Sequence, residues 1–110
     1  MTLGEHQQAF SRDLVKLLNY AFESGYEVRI GEVERTIEQQ KLYMASGRSK
    51  TMNSYHLKKC AADLHFINRA GQLVYPDAMG KFWMELNPLN SWGGSWTSFK
   101  DAPHFERRAP

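Results

Sequence analysis

Residues 60–67 read Cys-Ala-Ala-Asp-Leu-His-Phe-Ile, a short apolar run that is typical of a central β-strand. Successive side chains of a strand point to opposite faces. One face would therefore carry an alanine, the leucine and the phenylalanine, and the other would carry Asp63 and His65. A carboxylate within an apolar strand is costly unless it is paired or binds a metal ion. Asp63 is thus the first candidate for a functional residue.

The segments on both sides of this strand predict an α+β fold, with helices packed on a small, mostly antiparallel sheet. Their order is α, β, α, β, β, α, β, with short connections and no internal repeat. The predicted elements besides the central strand are a helix over 5–24, a strand over 26–30, a short helix from Thr36 to near Gly47, a strand over 72–75, a helix over 76–86 and a last strand over 104–106.

The composition excludes several classes of protein. The 110 residues carry 14 basic and 12 acidic side chains, and a net charge of +2 gives no reason to expect a nucleic-acid partner. A single cysteine, Cys60, excludes an internal disulfide. No apolar run approaches the roughly 20 residues that span a bilayer, and the first residues lack the apolar core of a signal peptide. We expect one domain over 1–110, a monomer, made in the cytoplasm.

A second group of polar residues lies close to the end of the chain, where residues 101–106 read Asp-Ala-Pro-His-Phe-Glu. Together, His56, Asp63 and His104 offer two imidazole nitrogens and a carboxylate oxygen, a normal ligand set for Zn²⁺. A catalytic zinc site keeps an open position for water, and Asp101 could accept that water's proton. Each residue alone also has a structural explanation, as a loop histidine, a strand-edge carboxylate or a turn cap. In combination they indicate metal-assisted hydrolysis.

Three motifs connect these residues to a known family. They read Arg-Thr-x3-Gln-x2-Tyr-x3-Gly-Arg over 35–48, Ser-x-His-x4-Ala-x-Asp over 54–63, and Trp-Gly-Gly-x-Trp-x2-Phe-x-Asp-x-Pro-His-Phe-Glu over 92–106. Their residue types and order resemble those of the zinc D-alanyl-D-alanine carboxypeptidase / L-alanyl-D-glutamate peptidase family. That family includes VanY-like carboxypeptidases and many phage endolysins. The resemblance extends over most of the chain, from about residue 28 to residue 106.

The resemblance implies a fold and a set of roles. The fold is the α+β type that zinc D-Ala-D-Ala peptidases share with Hedgehog domains, and one Zn²⁺ ion is the implied cofactor. The implied roles are His56, Asp63 and His104 as zinc ligands, Asp101 as the general base, Arg35 as the group that stabilises the substrate carbonyl and the oxyanion, and Ser54 as a contact to the substrate or to the residues around the metal.

Two positions in the first two motifs have more than one interpretation. Lys59 stands where the family motif usually has glycine. If the glycine is needed for a positive φ, the lysine strains the turn; if it is needed only for space, the lysine points outward. Arg35 could serve a purely structural purpose by pairing with Glu32 or Glu34.

Within the family, the third motif is closer to the L-alanyl-D-glutamate endopeptidases of phage lysis than to the carboxypeptidases. We therefore expect the peptidoglycan stem peptide as substrate. We also expect a phage or prophage endolysin, which would reach the periplasmic cell wall by holin-type release. One alternative is a D-alanyl-D-alanine carboxypeptidase or dipeptidase. Another is a catalytically inactive zinc-binding structural module of the same fold.

Several side chains near these motifs have more than one interpretation. His65 could be a neighbour of the site or a packing residue, and Glu106 could orient a ligand or face solvent. Trp92 and Trp96 could line a substrate cleft or belong to the core. We expect His6 and the arginines at 107–108 to be solvated.

Overall fold

The computed structural model describes residues 1–49 and 51–110, and in it three helices pack against one sheet. The predicted α+β class is confirmed. No helix within the described residues has the length and apolar character needed to cross a lipid bilayer. The helices are α1 (Leu3–Glu23), α2 (Ile37–Ala45) and α3 (Asp77–Leu86); the strands are β1 (Glu27–Ile30), β2 (Ala61–Ile67), β3 (Leu73–Val74), β4 (Asn90–Trp92) and β5 (His104–Arg107); 3₁₀ turns span Tyr55–Lys58 and Gly93–Ser95.

The predicted central strand, β2, is the axis of the sheet. The strand order is β1-β2-β5-β4, and β3 also pairs with β2. Every one of these pairings is antiparallel. The first part of β2 pairs with β5, and its second part pairs with β1 and β3. Strand β2 therefore connects the two parts of the sheet.

The two faces of β2 have different surroundings, as its alternation predicts. Ala62, Leu64 and Phe66 are buried and join a core that α1 and α3 cover. Asp63 and His65 point to the opposite face and are only half-buried. The helices thus close the apolar face, and the polar face remains accessible.

Helix α1 begins with a complete capping box. The Thr2 hydroxyl accepts a hydrogen bond from the Glu5 amide at 3.2 Å, and the Glu5 carboxylate accepts one from the Thr2 amide at 2.9 Å. Phe10, Leu17 and Ala21 are spaced along one side of the helix and are buried in the core. The helix is thereby fixed to the back of the sheet.

The expectation that His6 and Arg107 are solvated is wrong. Both are buried, and Nε of Arg107 donates a hydrogen bond to Nδ1 of His6 at 3.1 Å. The physical reason is strand alternation, because Arg107 shares a face of β5 with Phe105 and therefore points toward α1. Arg108, on the opposite face, is exposed, as expected.

Strand β4 is absent from the elements that the sequence predicts. It contains only three residues, too few to show an alternating pattern, and it runs directly into Gly93 and Gly94. The side chain that ends it, Trp92, is buried and stacks on Phe105 with ring centres 6.3 Å apart. A β-carbon added at Gly80 or Gly94 would overlap the Trp92 ring. The glycines therefore make room for a tryptophan that belongs to the core.

We predict that Gly80→Ala destabilises the fold, although alanine normally favours a helix. Overpacking against the Trp92 ring should cost about 1–3 kcal/mol of unfolding free energy. Urea titration followed by circular dichroism measures this change. Gly4→Ala in α1 is the matched control, since its added methyl group would meet only the Thr2 hydroxyl at 3.9 Å. Equal stability of Gly80→Ala and wild type would contradict the packing described here.

Candidate metal centre

Three potential metal ligands converge on the polar face of the sheet. Asp63 on β2 lies directly opposite His104 on β5 in the antiparallel register. His56 comes from the 3₁₀ turn that precedes β2 and is buried. One ligand atom from each of the three residues can be chosen so that all lie within 4.8 Å of one another. The sheet register and one short turn therefore assemble the predicted ligand set.

His56 is oriented by a backbone group. Its Nδ1 lies 2.8 Å from the carbonyl oxygen of Val33 and donates a hydrogen bond to it. The other ring nitrogen, Nε2, is consequently a lone-pair donor in the neutral ring. It is buried, has no hydrogen-bond partner among the described residues, and lies 3.3 Å from Oδ1 of Asp63.

His104 is oriented by a carboxylate. Its Nε2 lies 2.6 Å from Oε1 of Glu106, and its Nδ1 lies 3.6 Å from Oδ1 of Asp63. Glu106 is itself buried and accepts a hydrogen bond from Nε of Arg108 at 2.9 Å. Carboxylates of this kind commonly fix the ring of a metal-binding histidine. Glu106 therefore has the ligand-orienting position, one of the two interpretations that the sequence allowed.

The pKa values of the cluster reflect this crowding. Burial alone would lower the pKa of His104, but the neighbouring carboxylates of Asp63 and Glu106 outweigh burial and raise it to about 9. Burial opposes ionisation of Asp63 too, yet the neighbouring rings of His104 and His56 hold the pKa of its carboxyl well below the usual range. In the absence of a metal, a proton on His104 thus supplies the positive charge between these acceptors.

The donor set fits a divalent metal ion such as Zn²⁺. Two imidazole nitrogens and a carboxylate oxygen is a known three-ligand combination for catalytic zinc. The unpartnered, buried Nε2 of His56 faces an anionic oxygen, an arrangement that a cation between them would satisfy. The bonds from His56 to Val33 and from His104 to Glu106 leave the inward nitrogens of both rings available for a metal.

Asp101 lies in the wall of the same cleft as the three candidate ligands. Its amide donates to the Gly93 carbonyl at 3.0 Å, and its carbonyl accepts from the His104 amide at 3.1 Å. A β-carbon at Gly93 would collide with the Asp101 backbone, so glycine is needed for this approach. Burial raises the pKa of the Asp101 carboxyl, which is favourable for a group that accepts and returns a proton.

Arg35 lines the cleft and is also part of a polar network. Its Nε pairs with the carboxylate of Glu32, while its Nη1 donates to Gln40 at 2.7 Å and to Ser54 at 3.3 Å. The Ser54 hydroxyl in turn accepts a hydrogen bond from the His56 amide at 3.3 Å. Both sequence interpretations of Arg35 are therefore compatible, because it pairs with Glu32 and still lies in the cleft. Ser54 links this arginine to a candidate metal ligand.

The cleft has a volume of about 780 Å³, and of Trp92 and Trp96 only the second lines it. Trp96 lines it, with its ring centre 5.3 Å from that of His104. His65 also lines it, and its Nδ1 lies 2.8 Å from the Tyr75 hydroxyl. The sequence left open whether Arg35 pairs with Glu32 or with Glu34, because no pattern at either position distinguishes the two glutamates.

Lys59 adopts the left-handed conformation, with φ 56° and ψ 35°, at the end of the turn that carries His56. The family's usual glycine at this position is thus explained by backbone conformation. The Lys59 side chain is exposed and its Nζ lies 3.9 Å from Glu34. The lysine both strains the turn and points outward.

Comparison with known proteins supports the family suggested by the motifs. A family model described as D-alanyl-D-alanine carboxypeptidase matches residues 47–107, more than half of the chain. The chain belongs to this family. The matched segment includes all three candidate ligands and Asp101, whereas Arg35 precedes it.

Two relatives extend the comparison. An L-alanyl-D-glutamate peptidase of Listeria phage A118 is 39% identical over 110 residues, which covers 94% of this chain but only 37% of that protein. The chain therefore spans little more than a third of that relative's length. The crystal structure of the L-Ala D-Glu endopeptidase ChiX from Serratia marcescens matches with a TM-score of 0.67 and 26% identity, covering 94% of this chain and 84% of that one.

We predict that Lys59→Gly stabilises the protein by about 1 kcal/mol, because glycine adopts a positive φ without steric cost. The substitution also removes an exposed ion pair, whose contribution should be small. Chemical denaturation of Lys59→Gly beside Glu34→Gln, which removes only the ion pair, separates the two effects. A loss of stability in Lys59→Gly would contradict the strain.

We also predict that Zn²⁺ binding at pH 7 releases about one proton per ion, because the metal displaces the proton that His104 holds below pH 9. Apparent affinity should then rise about tenfold per pH unit from pH 7 to 9 and level off above the pKa of His104. Calorimetry in buffers of different ionisation enthalpy counts the protons. Glu106→Gln removes one of the bonds that raises this pKa and should release fewer protons at pH 7. Buffer-independent heats for the wild type would contradict the prediction.

Proposed function

We propose that this chain is a zinc-dependent peptidase of the peptidoglycan stem peptide that cleaves the L-Ala–D-Glu bond, with an endolysin role. The observation that carries the proposal is the set of His56, Asp63 and His104 on one face of the sheet with Asp101 in the same cleft. The bond is suggested by the two relatives, which are both named for L-Ala-D-Glu cleavage.

A bound zinc ion would polarise the scissile carbonyl and lower the pKa of the attacking water. Asp101 would accept the proton of that water and return it to the leaving amine. Its backbone bonds to Gly93 and His104 hold it at the cleft wall, so proton transfer needs no rearrangement of the turn. Its raised pKa makes both halves of this transfer more nearly balanced at neutral pH.

Arg35 would bind the carbonyl oxygen of the scissile bond and stabilise the negative charge that develops there. Its bonds to Glu32, Gln40 and Ser54 fix the guanidinium group before substrate arrives. A pre-oriented cation loses little energy to reorganisation during the reaction. We place Ser54 as a positioning residue between Arg35 and His56.

The alternative is a D-alanyl-D-alanine carboxypeptidase, which the description of the matching family model favours. The chemistry would be the same and the products would differ. Mass spectrometry of digested peptidoglycan separates the two, because one reaction releases terminal D-Ala and the other exposes new L-Ala carboxyl ends. As part of the proposal, the catalytic unit is the single domain 1–110, acts as a monomer, and meets its substrate in the cell wall after holin-type release.

We predict that Asp101→Asn lowers hydrolysis of purified cell walls by at least about 100-fold while zinc content stays at the wild-type level. The amide cannot accept a proton but preserves the size of the side chain. Turbidity loss of wall suspensions and metal analysis of the same preparations measure both quantities. Asp77→Asn, at the exposed start of α3, is the matched control and should retain wild-type activity.

Two results would contradict the proposal. Wild-type protein loaded with zinc that hydrolyses no cell wall would leave the inactive structural module as the better interpretation. An Asp101→Asn variant with undiminished activity would remove Asp101 as the base, whatever the substrate.

A further inference from the structure

Arg48 is a cleft residue that the proposed chemistry does not use. It lines the same cleft as the candidate metal ligands, and its guanidinium carbon lies 4.5 Å from the centre of the Tyr43 ring. The guanidinium carbon of Arg35 lies 4.7 Å from the centre of the same ring. The two cations are therefore neighbours that share one aromatic side chain.

The backbone after α2 holds Arg48 over this ring. Gly47 has a φ of 78°, which turns the chain back at the end of the helix. The amides of Arg48 and Ser49 then both donate to the Tyr43 carbonyl, at 2.8 Å and 3.1 Å. The Ser49 hydroxyl accepts a further bond from the buried Gln40 at 2.8 Å. Arg48 is thus placed by the same network that orients Arg35.

The lack of a carboxylate partner distinguishes Arg48 from the other arginines of the cleft, among the residues that the structure describes. Arg35 pairs with Glu32, and Arg108 pairs with Glu106. Within residues 1–49 and 51–110, Arg48 forms no ion pair with a carboxylate. A planar guanidinium group backed by an aromatic ring is well suited to bind a carboxylate through two hydrogen bonds.

We propose that Arg48 binds the substrate carboxylate that flanks the scissile bond. This inference rests on the proposed function, because it takes Arg35 as the contact of the scissile carbonyl. In an L-Ala–D-Glu bond of the stem peptide, the chain continues through the γ-carboxyl group, so the α-carboxylate of D-Glu is free beside the cleaved amide. In a D-Ala–D-Ala end, the terminal carboxylate has the same relation to the cleaved amide.

The two arginines line one cleft and contact one aromatic ring, so a single bound peptide can reach both. An extended peptide advances about 3.5 Å per residue, so a group next to the scissile amide lies within a few ångströms of the carbonyl. Of these two arginines, Arg35 is the one connected to a candidate metal ligand by hydrogen bonds. It donates to Ser54, which accepts from the His56 amide. Arg48, on the shared Tyr43 ring, is the adjacent cation. Lys100 also lines the cleft and is the rival for the carboxylate.

The test compares matched peptides on zinc-loaded protein. One pair contains the L-Ala–D-Glu bond with the D-Glu α-carboxyl group either free or amidated; a second pair ends in D-Ala–D-Ala as the acid or the amide. The pair that the wild type cleaves identifies which carboxylate is the source. For that pair, we expect amidation to lower kcat/KM of the wild type by about 10- to 100-fold, as for the loss of a charge-assisted hydrogen bond.

Arg48→Ala should lower kcat/KM for the free acid by a similar factor and leave the amide unaffected, so that the acid-to-amide ratio falls to near one. Arg48→Lys should recover only part of the ratio, because it keeps the charge without the planar fork. Arg12→Ala, an exposed arginine on α1 outside the cleft, should keep the wild-type ratio. A wild-type ratio in Arg48→Ala, or its loss in Lys100→Ala instead, would overturn the inference.

A binding measurement keeps this inference separate from the proposed function. Titration of the acid and amide peptides, followed by tryptophan fluorescence, to which the cleft residue Trp96 contributes, needs no turnover. Absence of cleavage of either pair by the wild type would refute the proposed function. The carboxylate inference would then stand if Arg48→Ala alone abolished the preference for binding the acid, and would fail if that preference were absent or unchanged.

Discussion

The antiparallel pairing of β2 with β5 is the constraint on which both the core and the cleft depend. It sets Asp63 against His104 on one face and Ala62 against Phe105 on the other. Side chains alternate along a strand, so a slip of β2 by one residue would turn the Asp63 carboxylate into the apolar core and Phe66 toward water. The same few hydrogen bonds therefore determine the stability of the domain and the geometry of its candidate ligands.

Much of this could be predicted from the sequence, because the decisive signals are local. The apolar alternation of residues 60–67 predicted the central strand, and its one carboxylate predicted the position of the site. The roles of Glu106 and Arg107 could not be predicted in the same way. Each depends on which face of a four-residue, fully buried strand its side chain occupies, and a run of that length does not reveal its register.

The tryptophans show a similar limit. Trp92 and Trp96 lie in one motif with two glycines, yet one is in the core and the other lines the cleft. Part of the space that the Trp92 ring fills is left by Gly80 on α3, outside the motif. That residue is distant in sequence, so no reading of the motif alone could separate the two rings.

The bond between Arg107 and His6 joins β5, which carries His104, to the first helix of the chain. The segment that matches the family model, 47–107, omits that helix with its buried Phe10, Leu17 and Ala21. The boundary of sequence similarity is therefore not a boundary of folding. A fragment cut to the matched residues would keep every candidate ligand and yet expose the apolar back of the sheet that holds them in place.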